Sequence, residues 1–404
     1  MTLQRYLDDV EVHNLSAAPA HVAEYRGTVD TAALRMAFDL LCARHPVLRG
    51  RVLADEHGYL LSVTGDHRAE FAEFGGDEPV LYREVFRPWN SACSVARLMH
   101  VHTANGGYVA LRVDHAIVDG HSLREVFDQL WLIYAELRAG RVPARAAARS
   151  LPRSPVELLA QRWHPDVDVP APRRSSSTKD RFQRVCGLRV HPHQGYLRLD
   201  EAATARLLDV ARARATTVHA LICGAVLVGH CVFGTRETGP APMMCLSPVN
   251  LRHRVQPPVG ATETTAFVKL HPATVTVPQS RDPHAVGAEV KRQLDAAIRR
   301  RDLLSVAELP VLLSEPVVTP VEARLAIVQV SNNGVVHTPL TRLGELTITD
   351  FLSPVDVILD VFPIYSVYTY RGRLSIRYLY PSNAFTAEDV RSLVETIATL
   401  TREL

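Results

Sequence analysis

The chain has 404 residues, 47% of them hydrophobic, and a formal net charge of +2. This length exceeds what one ordinary hydrophobic core supports, so we expect two domains of roughly 150–200 residues. The near-neutral charge gives no sign of a whole-chain nucleic-acid or anionic-membrane binder, and no apolar run reaches the roughly 18–20 residues of a membrane span.

The first clear element is a helix predicted over residues 30–44. Asp30 is a favourable N-cap, because its carboxylate can accept an unpaired N–H of the first turn. Apolar residues then recur on one face with the period of a helix. Pro46 ends the helix, and residues 47–52 lead into a strand.

A β-hairpin is predicted next, with strands at residues 96–102 and 108–114 around Asn105-Gly106-Gly107. Asn and Gly tolerate the positive φ that tight hairpin turns need. Apolar residues alternate with more polar ones along the second strand, and His115 continues the apolar side. We therefore expect His115 to point into the interior rather than toward solvent.

A helix is predicted directly after His115. Ser122 and Glu125 have the spacing of a capping box, in which the serine caps the helix and the glutamate reaches back. Gly140 ends the apolar stripe of this helix. The local order is therefore strand, His115, a tight turn at Gly120 and a helix.

Residues 141–185 are predicted to form a Pro/Ser/Arg-rich linker, because their density of proline and serine disfavours regular elements. Residues 138–184 hold eleven basic and four acidic side chains, a local charge of +7. Such a stretch suits a phosphate-bearing or acidic partner, and a solvated linker without a ligand explains it equally well.

The second half begins near residue 186 and mixes helices with strands. Helices are predicted at residues 201–213, 217–231 and 386–402. Strands are predicted at residues 243–246, 266–270, 325–330, 346–349, 357–370 and 374–380. Since both halves mix the two element types, the fold class is α/β or α+β. The predicted domains are residues 1–140 and 186–404, joined by the linker.

The cysteines and the remaining histidine pairs do not suggest a metal centre. No two of the six cysteines have C-x-x-C spacing, and His100-Val101-His102 and His191-Pro192-His193 lack a third ligand nearby in sequence. The N-terminus has no apolar core of a signal peptide. We therefore expect a cytoplasmic protein without a bound metal.

The segment most informative about function is His115-x-x-x-Asp119-Gly120. General-base catalysis needs an imidazole within reach of a substrate hydroxyl or amine. A carboxylate four residues on can fix the loop. Gly120 allows a backbone conformation that a side chain would block, and it leaves room for a substrate. Taken alone, the string is equally compatible with a buried histidine satisfied at a strand end.

The surroundings of this segment resemble the superfamily of chloramphenicol acetyltransferase, nonribosomal peptide condensation domains and plant BAHD acyltransferases, which share H-x-x-x-D-G. Residues 27–49 are similar to the opening helix and strand of that superfamily. Pro248–Arg254 is similar to its N-L-R-x-R segment, and Ser331-Asn332-Asn333-Gly334 to its S-N-x-G turn. The resemblance covers nearly the whole chain and is nearest to polyketide-associated, phthiocerol dimycocerosyl transferase-like acyltransferases.

Two departures accompany the resemblance. Asp114 stands where many members carry a second histidine before the catalytic one, a position not expected to act chemically. The BAHD motif D-F-G-W-G is absent. Asp350-Phe351-Leu352-Ser353 matches only its first two residues, so a plant-type enzyme is not expected.

The resemblance implies two chloramphenicol-acetyltransferase-like subdomains, each a mixed β-sheet flanked by helices, with the active-site tunnel between them. It implies that His115 is the general base and that Asp119 is a structural brace. Arg252 is the first candidate to hold Asp119, and Arg254 the second. The candidates for stabilising the oxyanion or contacting substrate are Asn250, Ser331 and Asn332.

We therefore expect a monomeric O-acyltransferase of lipid or polyketide secondary metabolism. It would move an acyl group from acyl-CoA or an acyl carrier protein to the hydroxyl of a small-molecule acceptor. No cofactor is expected, because the CoA or phosphopantetheine thioester is an activated co-substrate. The alternatives are a free-standing condensation enzyme that forms an amide and a non-catalytic scaffold that binds carrier proteins.

Overall fold

The computed structural model describes residues 2–141, 143, 150–163, 192–234, 240–300, 303, 326–356 and 362–404. Most of the predicted linker at residues 141–185 lies outside the described residues, as do residues 357–361 of one predicted strand.

The helices and strands follow one another along the whole described chain. In chain order they are β1 (Leu3–Tyr6), α1 (Asp9–Asn14), β2 (Ala18–Arg26), α2 (Thr31–Arg44), a 3-10 turn (Pro46–Arg49), β3 (Arg51–Asp55), β4 (Gly58–Val63), β5 (Glu70–Gly75), α3 (Glu78–Val85), β6 (Ala96–Thr103), β7 (Gly106–Val113), α4 (Gly120–Arg138), α5 (Pro155–Trp163), β8 (His193–Arg198), α6 (Glu201–Ala213), α7 (Val218–Gly234), β9 (Ala241–Asn250), β10 (Val268–Val277), α8 (Pro283–Arg300), β11 (Ile327–Val336), β12 (Arg342–Leu343), β13 (Leu346–Leu352), β14 (Val355–Asp356), β15 (Ile364–Tyr370), β16 (Arg373–Tyr380) and α9 (Ala387–Glu403).

The first compact unit comprises Met1–Arg184, Leu251–Phe267 and His337–Ile358. Within its described residues a mixed sheet has the order β12-β13-β2-β7-β6-β5, with β14 also paired to β2, and a smaller sheet has the order β1-β4-β3. β5 and β6 are parallel, whereas β2 is antiparallel to both β7 and β13. Helices α2 and α4 pack together, and α4 packs on β2.

The second unit comprises Val185–Asn250, Val268–Val336 and Leu359–Leu404. Its described strands form one sheet in the order β10-β9-β11-β15-β16-β8, in which β11 is parallel to both neighbours. Helix α7 is buried on nearly every side and packs on α8 and α9. Two mixed sheets flanked by helices confirm the predicted α/β (α+β) fold class.

The two units do not divide the chain at residues 140 and 186 as the predicted domains do. Leu251–Phe267 and His337–Ile358 belong to the first unit although they follow residue 186. The reason is strand pairing and polar contact: β13 pairs with β2, and Thr264 donates to the carbonyl of Arg153. These contacts join residues far apart in sequence, and composition alone does not show them.

Several local predictions are sharpened by the structure. Asp30 caps α2 by accepting from the N–H of Ala33 at 3.0 Å. The hairpin between β6 and β7 is present, but its turn lies at residues 104–105, so Gly106 begins β7. Within the predicted linker, residues 155–163 form α5. Its first turn is capped both by the local residue Ser154, whose hydroxyl accepts from the N–H of Glu157 at 3.2 Å, and by the distant Asp8, which accepts from the N–H of Val156 at 2.9 Å.

No single helix among the described residues is long and apolar enough to cross a membrane. α6 and α7 satisfy that criterion only when taken together, and a bend of 104° separates them.

Helices α7 and α8 approach each other at a pair of glycines. A Cβ added to Gly224 would lie 1.9 Å from the carbonyl oxygen of Pro283, and one added to Gly287 would lie 2.2 Å from that of Ala220. Side chains at these two positions would therefore force the helix backbones apart.

We expect Gly224→Ala to destabilise the protein, although the same change in an unobstructed helix interior stabilises it by about 1 kcal/mol. The overlap with Pro283 reverses the sign, and we expect a loss of about 1–3 kcal/mol in the free energy of unfolding. Urea unfolding followed by circular dichroism measures it. An increase in stability would show that the helices do not approach this closely.

Candidate active site

The candidate base His115 lies in the turn between β7 and α4. The backbone N–H of Asp114 donates to the carbonyl of Val95 at 2.8 Å, and that of His115 donates to the carbonyl of Ala17 at 2.7 Å. These bonds fix the turn against two other segments of the first unit. His115 itself is half-buried, whereas the residues on either side of it are fully buried.

The alternation along β7 does not decide where His115 points. All residues from Val109 to Val113 are buried, so both faces of this strand are covered. His115 was predicted to point into the interior because it continues the apolar side of β7. The structure places it half-buried, in a turn after the chain has left the sheet, so the strand alternation does not set the direction of its ring.

The imidazole ring of His115 is held by its own turn. Nδ1 lies 2.7 Å from the carbonyl oxygen of Val118. A carbonyl oxygen only accepts hydrogen bonds, so Nδ1 carries the proton in this contact. In the neutral ring the lone pair is then on Nε2, which is the arrangement of a general base.

Asp119, not Ser122, is the N-cap of α4. Its Oδ1 accepts from the N–H groups of His121 at 3.0 Å and Ser122 at 2.9 Å, and Ser122 Oγ accepts from the N–H of Asp119 at 2.9 Å. The predicted capping box of Ser122 and Glu125 is therefore wrong by three residues. Glu125 accepts instead from the side chain of Gln129.

The other oxygen of Asp119 joins the turn to the segment Leu251–Phe267. Oδ2 accepts from Nη1 of Arg252 and from the N–H of Phe267, the latter at 2.9 Å. The side chains of Asp119 and Arg252 are 1% and 0% exposed, so this is a buried ion pair. Arg254, the second candidate for this role, is exposed.

The pKa of Asp119 is lowered. Burial is the largest single influence and acts to raise it, but the charge of Arg252 and the hydrogen bonds from Ser122, Arg252 and Phe267 together outweigh burial. Asp119 is therefore a carboxylate whose lone pairs are engaged, which suits a brace and not a proton acceptor.

Gly120 is the first residue of α4 and is exposed. A first helical position has ordinary helical dihedral angles. The predicted need for an unusual backbone at Gly120 is therefore not found, and room for a substrate remains the predicted reason for glycine there.

Asp114 is a second buried carboxylate beside His115, and its role was not predicted from the sequence. Its oxygens accept from the N–H of Ser16 at 3.2 Å, Trp89 Nε1 at 3.1 Å, the hydroxyl of Ser91 and the N–H of Ala116 at 2.9 Å. Burial raises its pKa, while these hydrogen bonds act in the opposite direction. It ties the turn to the start of β2 and to the segment before β6.

The candidates for the oxyanion lie in the second unit. Asn250 ends β9, and Ser331 and Asn332 lie in β11. Asn332 is exposed, and its Oδ1 accepts from the N–H of Gly334 at 2.9 Å, where Gly334 has φ +69°. This contact gives Asn332 a local role in the bulge of β11 between Asn332 and Val335, while the oxyanion role of all three residues stays a prediction.

In the part of the chain that the structure describes, no group of three or more His, Cys, Asp or Glu side chains could hold a metal ion. His191, one of the histidines considered above, lies outside that part.

Comparison with known proteins identifies similar sequences. Residues 189–379 match the family model described as the phthiocerol/phthiodiolone dimycocerosyl transferase C-terminus. The phthiocerol/phthiodiolone dimycocerosyl transferases of Mycobacterium tuberculosis and Mycobacterium leprae are 24% and 25% identical over 264 and 273 residues. Each match covers 60% of this chain, and the chain spans about 60% of the length of these relatives.

Solved structures show the same fold. Polyketide synthase associated protein 5 from Mycobacterium tuberculosis has a TM-score of 0.77 at 21% identity, covering 98% of this chain and 97% of its own. The trichothecene 15-O-acetyltransferase from Fusarium sporotrichioides has a TM-score of 0.72 at 11% identity, covering 99% and 95%. The first condensation domain of the calcium-dependent antibiotic synthetase has a TM-score of 0.70 at 16% identity, covering 99% and 96%. These findings confirm the predicted resemblance.

The hydrogen bond to Val118 predicts a single tautomer of His115. In the neutral form of the ring, we expect the proton to be on Nδ1. Long-range ¹H–¹⁵N spectra of histidine-labelled protein report this, and His115→Gln identifies the signal by its loss. A ring protonated at Nε2 would contradict the geometry.

We expect Asp119→Asn to lower the free energy of unfolding at neutral pH by about 3–5 kcal/mol, because it leaves Arg252 buried without its anion. Because the pKa of Asp119 is lower in the folded state, its carboxylate stabilises the fold at pH values above its unfolded-state pKa of about 4. This stabilisation is lost as the pH falls below that value. The difference from wild type should therefore narrow only below about pH 4.

Urea unfolding over a pH series measures this difference. The exposed pair Asp209–Arg212 offers a control, because both side chains are 73% exposed. Asp209→Asn should change stability by less than about 1 kcal/mol. Equal effects of the two substitutions would show that the Asp119–Arg252 pair does not stabilise the fold.

Proposed function

We propose that this chain is an acyltransferase that moves an acyl group from a thioester to a hydroxyl of a lipid or polyketide-type acceptor. The observation that carries the proposal is the hydrogen bond from His115 Nδ1 to Val118, which leaves Nε2 as the proton acceptor. The names of the similar proteins support it, since they include a dimycocerosyl transferase and an O-acetyltransferase.

In the proposed reaction, His115 Nε2 takes the proton of the acceptor hydroxyl as its oxygen attacks the thioester carbonyl. The tetrahedral intermediate then collapses, the C–S bond breaks, and the leaving thiolate takes the proton back from Nε2. The products are an ester and a free thiol, and His115 returns to its starting state. No redox or metal step is needed, because the thioester is already activated.

Asp119 takes no part in the proton transfer. It accepts five hydrogen bonds and is buried with Arg252, so its role is to hold the start of α4 and the turn that carries His115. Asn250, Ser331 and Asn332 are proposed as the groups that stabilise the oxyanion, a contribution of about 3–4 kcal/mol in enzymes where one such donor was removed.

The donor is proposed to be acyl-CoA or an acyl carrier protein. Three arginines of the basic stretch at residues 138–184 have structural partners: Arg138 pairs with Asp30, Arg153 donates to Gln161, and Arg162 pairs with Glu263. Any role of this stretch in binding the phosphate of a donor therefore rests on its other basic residues, such as Arg173, Arg174 and Lys179, which lie outside the described residues.

Amide formation is the second candidate function. Structures named as condensation domains match this chain with TM-scores of 0.69 and 0.70, and one named as an epimerization domain with 0.66. The shared fold therefore does not by itself select a hydroxyl acceptor. The same Nε2 could deprotonate an amine, and the product distinguishes the two reactions.

We expect wild-type protein to release free thiol from an acyl-CoA or a carrier-bound acyl group when a hydroxyl acceptor is present. His115→Ala should lower this rate by about 10²–10⁴-fold, the usual contribution of a general base. His57→Ala is the control and should retain full activity, because His57 is exposed in the turn of the β3–β4 hairpin. A thiol-reactive dye follows the release.

Mass spectrometry of the products, with hydroxyl and amine acceptors offered together, separates the two enzyme functions. An ester supports the proposal, and an amide replaces it with the condensation function. Equal thiol release by wild type and His115→Ala across all donors would assign His115 a structural role and favour a scaffold.

A further inference from the structure

The segment Leu251–Phe267 contacts Asp119 at two points. Arg252 donates to Asp119 through Nη1, and the N–H of Phe267 donates to the same oxygen. A third bond closes the segment on itself, because Nη2 of Arg252 donates to the carbonyl of Thr265 at 3.0 Å. The backbone around Thr265 therefore sets the position of both groups that hold Asp119.

Thr265 is in turn tied to a buried glutamate. Its hydroxyl donates to Oε1 of Glu11 at 2.6 Å, and both residues are 0% exposed. Glu11 also accepts two bonds from the guanidinium of Arg5, at 2.7 and 2.5 Å, and one from the N–H of Asp8 at 2.9 Å. A charge held by this many donors is a rigid point of attachment.

The hydroxyl of the preceding residue makes a different contact. Thr264 is 1% exposed, and its hydroxyl donates to the carbonyl of Arg153 at 2.7 Å. Arg153 lies two residues before α5, so the hydroxyl of Thr264 is bonded to that segment and not to Glu11, Arg252 or Asp119. The two adjacent buried threonines therefore differ in the acceptor of their hydroxyl group, which is Glu11 for Thr265 and the carbonyl of Arg153 for Thr264.

We infer that Thr265, anchored by Glu11, is a positioning residue for His115. Thr265 donates to Glu11 and accepts from Arg252, and it lies two residues before Phe267 in the chain. Arg252 and Phe267 both donate to Asp119, which caps the helix that follows the turn carrying His115. The inference rests on the proposed function, because His115 has to be held in place only if its Nε2 transfers a proton. Thr265 itself touches no reacting atom.

The physical reason is the sensitivity of proton transfer to placement. A shift of about 1 Å in a catalytic group, caused by a change away from the reacting atoms, can lower a rate by about a hundredfold. Without the hydroxyl, the backbone of Thr265 is no longer fixed to Glu11. Arg252 and Phe267 then lose the support that aligns both with Asp119 Oδ2.

The test compares three variants at adjacent positions. Thr265→Val removes the hydroxyl and keeps the shape, Thr265→Ser keeps the hydroxyl, and Thr264→Val removes the neighbouring hydroxyl. We expect Thr265→Val to lower kcat about tenfold while KM for the donor changes by less than about twofold. Thr265→Ser and Thr264→Val should keep kcat within about twofold of wild type.

A second readout does not depend on activity. The N–H groups of His121 and Ser122 donate to Asp119, so amide hydrogen exchange of this peptide reports how firmly Asp119 is held. We expect exchange about tenfold faster in Thr265→Val and unchanged in Thr264→Val. If the wild-type protein releases no thiol from any donor, the proposed function fails. The amide hydrogen exchange of this peptide still tests whether Thr265 supports Asp119.

Two results would overturn the inference. The first is an equal loss of kcat, or an equal rise in exchange, in Thr264→Val and Thr265→Val, which would mean that any buried hydroxyl of this segment matters only to folding. The second is failure of Thr265→Ser to restore the wild-type values.

Discussion

The buried ion pair of Asp119 and Arg252 is the interaction on which the arrangement of the candidate site depends. Removing two charges from water is costly, and their attraction offsets that cost only when the remaining lone pairs are also satisfied. Asp119 meets this condition with backbone donors at the start of α4 and at Phe267. Because the partners lie 133 positions apart, the segment Leu251–Phe267 has to return to the first unit for the pair to form.

Two buried carboxylates then bracket His115, and they differ in what holds them. Asp119 faces a guanidinium, which together with hydrogen bonds lowers its pKa, whereas burial raises that of Asp114. Asp114 occupies the position where many resembling sequences have a second histidine. Its four donors explain why an aspartate serves here: the position has to accept N–H and O–H groups from several segments, and a carboxylate offers the most lone pairs for that purpose.

Much of the local framework around His115 could be predicted from sequence, because strand, turn and helix leave periodic patterns. The cap of α4 could not, because Ser122 and Glu125 carry the more familiar spacing while Asp119 pairs with a serine. Helix α8 was also missed, although Asp282-Pro283 before Val286 and Val290 is a usable start signal. The bonds of Glu11 to Thr265 and of Asp119 to Phe267 join residues 254 and 148 positions apart, and no local pattern records them.

The way His115 is oriented bears on how one fold can serve several reactions. The proton on Nδ1 is fixed by a backbone carbonyl three residues on, not by a side chain that a change of substrate would disturb. Nε2 therefore presents the same lone pair whatever group approaches it, a hydroxyl, an amine or a carbon acid. Under the proposed function, His115 and Asp119 would keep the same roles while the surrounding side chains select the substrate. The proteins named for acetyl transfer, condensation and epimerization share this fold, and a shared fold does not by itself fix the reaction.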